Sequence, residues 1–258
     1  GIGGSAAGDV WAVGAAGTIL HWNGSAWSTV TSGVGVNLED AWAASAGMAW
    51  VVGDGGTILR WNGTAWSPES TGGLSAKLAG VWGSSTADIW AVGDGGTILH
   101  RVGGIWETSV SGTVRHLNGV WGLTSDFAWA AGATATIQRW DGTAWSSGGP
   151  GGATVLNWMG GSSTTDVWVV GNSGYTYHWN GTEWSSSRVG VAAWNGVWAA
   201  SPSLAWVAGG GGGIRAWNGT TWSSVTSGTS NTLNAIWGAS AAEVWAVGDR
   251  GTIVRWRQ

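Results

Sequence analysis

The sequence predicts an all-β protein, a seven-bladed β-propeller of four-stranded antiparallel blades with one terminal blade incomplete. Three observations predict it. A strand-borne tryptophan recurs as Trp11, Trp50, Trp90, Trp129, Trp168, Trp206 and Trp245, at spacings of 39, 40, 39, 39, 38 and 39 residues. A fixed period near 40 marks a chain of repeated small units. Within each period, short runs alternate apolar with small or polar residues, as half-buried strands do. The 49 glycines, set against only 3 prolines, supply tight turns. The repeat of about 39 residues per blade runs without a break, so residues 1–258 read as one domain. Helical repeats would need a 3.6-residue apolar stripe, which is absent.

The copy from Leu78 to Glu107 serves as the type blade. Leu78-Ala79-Gly80-Val81-Trp82-Gly83 is strand A, and Ser84 to Ala87 form a turn. Asp88-Ile89-Trp90-Ala91-Val92-Gly93 is strand B, with Trp90 and Val92 on one face. Asp94-Gly95-Gly96 is a hairpin turn whose residues adopt positive φ cheaply. Thr97-Ile98-Leu99-His100 is strand C, and a second hairpin leads to Trp106 at the start of strand D. In other copies that hairpin reads Trp22-Asn23-Gly24-Ser25-Ala26-Trp27 or Trp61-Asn62-Gly63-Thr64-Ala65-Trp66. One such blade buries too little to stand alone and relies on its neighbours. Strand direction gathers the tryptophans of a blade at the edge carrying the A–B and C–D turns. The B–C glycines fall at the opposite edge.

The copies are unequal. Gly160 replaces the strand A tryptophan, with Trp158 two residues earlier. Arg101 replaces the strand C tryptophan, and Trp194 replaces the strand A leucine. The first copy opens inside strand A with Gly3 at the tryptophan position, as in a trimmed or mature chain. The last ends at Trp256-Arg257-Gln258 without a strand D. Either one blade keeps three strands or the chain is cut from something longer.

Composition narrows the function. The net charge is −4 and the basic residues are scattered, which disfavours binding to phosphate backbones. With no cysteine there is no disulfide framework and no thiolate metal site. No run of about 18 apolar residues is present to span a membrane. The histidines are spread one per blade, so no metal and no other cofactor is expected. The carboxylates recur by blade rather than clustering, and no G-x-S-x-G elbow stands between a strand and a helix, so no enzyme is expected.

Val10-Trp11-Ala12-Val13, Ile58-Leu59-Arg60-Trp61 and Leu233-Asn234-Ala235-Ile236-Trp237 resemble tectonin-type repeats, and the resemblance covers essentially the whole chain. It implies a secreted or cell-surface lectin. Such a lectin would recognise surface glycans at several tryptophan-lined pockets between adjacent blades, gaining strength through multivalency. The alternative is a non-enzymatic protein-interaction scaffold or assembly module that uses a propeller face.

Most of the 26 tryptophans serve as inter-blade filler in this reading. The candidate ligand contacts are the strand A set Trp42, Trp82, Trp121, Trp198 and Trp237, together with the irregular Trp158 and Trp194. On the opposite face the B–C turn residues Asp54, Asp94, Asn172 and Asp249 are candidates, with a turn-forming role as their alternative. Asn23, Asn62, Asn180 and Asn218 match the glycosylation pattern but read as turn residues, because Asp141 takes the same place. His21, Arg60, His100, Arg139, His178 and Arg255 share one strand C position. They face Asp9, Asp88, Asp166 and Glu243 at the start of strand B. These pairs could bind a ligand or tie strands together.

Overall fold

The computed structural model describes residues 1–257 and forms a closed ring of seven antiparallel sheets. Six have four strands in the order A-B-C-D, and the last has three. Strand A is innermost, and each one packs on the strand A of the next blade around the axis. These inner strands are Ile2–Ala6, Leu38–Ser45, Leu78–Ser85, Leu117–Thr124, Leu156–Ser163, Trp194–Ser201 and Leu233–Ser240. The first also touches the last, which closes the ring.

The core lies between blades. The strand B tryptophan of each blade is buried and reaches into the next blade. At five junctions it meets that blade's strand D tryptophan nearly at right angles. Trp11–Trp66, Trp90–Trp145, Trp129–Trp184, Trp168–Trp222 and Trp245–Trp27 have ring centroids 5.0 to 5.4 Å apart. Edge-to-face contact suits the indole quadrupole. The pair Trp245–Trp27 joins the last blade to the first. At the junction of blades 6 and 7, Trp206 packs on Trp256 at 4.5 Å instead.

The strand C tryptophan latches its own blade. The indole N–H groups of Trp22, Trp61, Trp140, Trp179 and Trp217 donate to the A–B turn carbonyls of Ala7, Ala46, Ser125, Thr164 and Pro202. Arg101 accomplishes the same in blade 3, giving 2.8 Å from Nη1 to the Thr86 carbonyl. Its Nε and Nη2 grip Glu69 of blade 2, both at 3.0 Å, and the indoles of Trp50 and Trp106 donate to the same carboxylate. The substitution at Arg101 thus keeps the latch and adds a charged tie between blades.

The turns follow from residue chemistry. The B–C turn is a short 3-10 turn whose third residue holds positive φ, and a Cβ on Gly56 would stand 2.1 Å from the Leu74 carbonyl oxygen. The C–D turn differs from the paired positive-φ turn that Asn-Gly suggests. Gly24 has φ 94°, but Asn23 is not at positive φ. The Asn23 Oδ1 instead accepts from the N–H groups of Ser25 and Ala26, each at 3.0 Å. Asp141 uses a carboxylate oxygen in the same way, and those bonds hold its carboxyl down at about 2.

Candidate binding site on the ring axis

Because strand A lines the axis, the residues of any one strand A column meet there. Trp42, Trp82, Trp121, Trp198 and Trp237 form one such column and are half-buried. With Trp158 they border a pit of 200 Å³ at the A–B-turn end of the axis. The sequence reading expected several separate pockets between blades. The structure instead brings these tryptophans into one opening.

Each of these indoles lies on the glycine of the next blade. A Cβ on Gly83 would stand 2.7 Å from Trp42, and one on Gly122 2.6 Å from Trp82. Gly161 meets Trp121, Gly238 meets Trp198 and Gly4 meets Trp237 in the same way. The column has two gaps, Gly3 and Gly160, and the residues facing those gaps in the following blades are Ala43 and Ala199. Glycine therefore stands wherever an indole arrives, and alanine wherever none does. At the gaps the inner strands close up. A Cβ on Gly3 would stand 2.0 Å from the Ala41 oxygen, and one on Gly160 2.8 Å from the Val197 oxygen.

Gly238→Ala should push the Trp198 indole off its seat, because all three nearest atoms, at 2.7 Å, belong to that ring. The expected cost is about 1–3 kcal/mol, typical of overpacking. A double-mutant cycle in denaturant with Trp198→Ala checks it, and the alanine should cost far less once the indole is gone.

A second column, two residues before the tryptophans, reads Gly1, Asp40, Gly80, Gly119, Trp158, Gly196 and Ala235. Asp40 and Trp158 are the large members, and both border the pit and the wider funnel of 780 Å³ at the other end. They form the waist of the channel. Asp40 is buried and accepts the Val81 N–H at 2.9 Å. Burial pushes its carboxyl up to about 7, against N–H bonds from Val81 and Ala41 and the nearby amino group of Gly1. Folding thus raises this pKa. The stability gained from the bound proton is fully present at acid pH and is lost as pH rises from about 4 to 7. Asp40→Asn should remove that loss. Its advantage in melting temperature over the parent should grow between pH 5 and pH 8, by the equivalent of about 2 kcal/mol.

The funnel is lined by amides. Asn118, Asn157 and Asn195 each donate from Nδ2 to the carbonyl of the next blade's first strand A residue, at 2.8 to 3.0 Å. The B–C turn candidates stand around this mouth, each bonded to a neighbour. Asp54 accepts from Asn37, Asp249 from Asn234 and Asn172 from Asn157, while Asp94 pairs with His116 at 2.9 Å. Only Asp249 among them borders the funnel.

Trp194 departs from the expectation. It is 3% exposed in the core between blades 5 and 6, and its N–H donates to the Val189 carbonyl. The larger ring fills the leucine position, so it presents no face to a ligand.

The repeated acid–base pairs tie strands together. His21, His100 and His178 stack on Trp11, Trp90 and Trp168 and donate to Asp9, Asp88 and Asp166 at 2.5 to 2.8 Å. Ser5, Ser84 and Ser162 donate to the same carboxylates. Burial pushes the Asp88 and Asp166 carboxyls up, but the histidine and serine bonds outweigh it and leave both below the usual range. The carboxylate sits between serine and histidine, so the imidazole does not activate the serine hydroxyl. Arg255 pairs with Glu243 and lies over Trp245 in the same place.

No family model matches the chain, and no curated protein sequence does either. Solved structures match it in fold. YCF48 bound to D1 peptide aligns with TM-score 0.79 at 17% identity, over 100% of this chain and 91% of that one. YCF48 from Cyanidioschyzon merolae aligns with TM-score 0.77 at 17% identity, over 98% and 92%. The WD40 β-propeller domain of Doa1 aligns with TM-score 0.82 at 12% identity, over 100% and 92%. At these identities the likeness establishes the propeller fold.

Asp40 and the asparagine ring escaped the sequence reading. The signal was present in the columns, since Asp40 and Trp158 interrupt a run of glycine and alanine. An interruption at an axial position means a side chain in the channel.

Proposed function

We propose that this chain is a non-enzymatic interaction scaffold that holds a segment of a protein partner at the axial opening of the ring. The observation that carries the reading is convergence. The half-exposed indoles and the irregular residues Asp40 and Trp158 share one axial opening, whereas the strand B tryptophans are buried as wedges. Asn118, Asn157 and Asn195 line the other mouth, with their Nδ2 groups already bonded to carbonyls of the next blade. The bound D1 peptide of one structural neighbour, YCF48, supports a peptide reading for this fold.

Selection from a random-peptide display library tests it. Selected peptides should saturate, compete with one another, ignore free monosaccharides and lose affinity at least tenfold in Trp158→Gly. Glycine is what four other blades carry at that position. A library yielding no saturable binder removes the reading.

One observation keeps a second reading, that of a secreted or cell-surface tectonin-type lectin. Half-exposed indoles are stacking platforms for a sugar ring, and six of them border the pit. In that reading the tryptophan-lined sugar site is a single axial one. Saturable binding on a glycan array, with no peptide binder, would favour it.

A further inference from the structure

Two places in this ring combine a carboxylate, indoles and a guanidinium. Arg101 bonds to Glu69 and lies 5.2 Å from the Trp50 ring, and Trp50 and Trp106 donate to the same carboxylate. Arg255 bonds to Glu243 and lies 4.4 Å from the Trp245 ring and 4.8 Å from that of Trp22. The axial pit has the first two parts of this set and not the third. Its tryptophans and Trp158 surround a lining whose only charged side chain is Asp40. Among the described residues no Lys, Arg, His or amino-terminal nitrogen lies within 4.0 Å of the Asp40 carboxylate. The nearby amino group of Gly1 forms no ion pair with it, and a buried carboxylate without a paired counter-charge is costly; a cation resting on indoles relieves that cost while gaining from the ring quadrupoles.

We infer that the pit receives one cationic side chain, the guanidinium of an arginine or the ammonium of a lysine, from the protein partner. This rests on the scaffold reading and names the chemistry of its anchor. The pit's 200 Å³ suits a single side-chain head group, not a folded element. The wide funnel meets it at the waist, where Asp40 and Trp158 stand. The partner's backbone stays outside on the A–B-turn face, and the side chain points down the axis toward Asp40.

The test titrates the intact chain with N-acetyl-arginine methylamide and with its uncharged citrulline counterpart, at constant ionic strength, reading tryptophan fluorescence. Arginine should bind at least about tenfold more tightly than citrulline, and that preference should vanish in Asp40→Asn. Circular dichroism confirms the fold of the variant, and Trp237→Ala should weaken arginine binding by several-fold with the carboxylate left in place. Equal affinity for the two compounds, or a cation preference that survives Asp40→Asn, overturns the assignment. A hexose that binds the same pit more tightly than arginine does so as well. If library-selected peptides bind at the axis without needing arginine or lysine, the scaffold reading stands and this assignment fails.

Discussion

Trp90→Ala is expected to destabilise the protein by about 3–5 kcal/mol, the range for removing a large aromatic side chain from a packed core. Trp90 is 0% exposed. His100 stacks on one side at 3.6 Å with 5° between planes, and Trp140 and Trp145 of the next blade close in at 4.8 and 5.1 Å. Its indole N–H has no hydrogen-bond partner. The substitution therefore removes packing without orphaning a bonded group, and the loss measures the wedge between blades 3 and 4 together with its stack on His100. The comparison is Trp82→Ala in the same blade. Trp82 is half-buried on the axial column, so its removal should cost less than half as much. Chemical denaturation monitored by circular dichroism checks both. Equal losses would mean that the two columns do not divide into wedge and surface as the geometry requires.

Arg101→Leu is expected to cost a similar amount, about 3–5 kcal/mol, for an electrostatic reason. The Arg101 and Glu69 side chains are 8% and 15% exposed. Removing the guanidinium strands a carboxylate that retains only the Trp50 and Trp106 N–H groups. It also releases the Thr86 carbonyl latch. Arg101→Trp should recover the latch but not the charge balance, because five other blades latch with tryptophan and that indole brings no charge to pair with Glu69. Adding Glu69→Leu to Arg101→Leu should regain much of the loss, since two apolar residues leave no unpaired charge. A double variant no more stable than the single one would show that the tie is not the source of the cost.

The ring was legible in the sequence because its cause is periodic. One wedge tryptophan and one glycine turn per repeat leave a trace at fixed spacing, and Trp11 to Trp245 carry it. The strand bounds of the type blade were legible for the same reason, since Leu78, Trp90 and Ile98 each sit in a run that alternates. The site was legible in part. Trp42, Trp82, Trp121, Trp158, Trp198 and Trp237 could be named from strand A, but their convergence could not, because it depends on which strand faces the axis. Trp194 is not placed by sequence, because a tryptophan in a leucine position reads as irregular whether it points outward or fills the core. In the sequence Asp40 is one acid among many. Only its place in an axial column, at the waist between the funnel and the pit, sets it apart. The pairing of Gly238 with Trp198 and of Ala43 with Gly3 joins residues about a repeat apart, beyond what a pass along one blade can relate.

The axial tryptophans are proposed as the ligand site, and the wedge tryptophans are the buried frame. Fluorine NMR of 5-fluorotryptophan-labelled protein, assigned by single substitutions and titrated with a library-selected peptide, tests it most directly. The resonances of Trp42, Trp82, Trp121, Trp158, Trp198 and Trp237 should shift together, while those of Trp11, Trp50, Trp90 and Trp129 stay in place. Shifts confined to tryptophans of strands C and D, away from the axis, would contradict it.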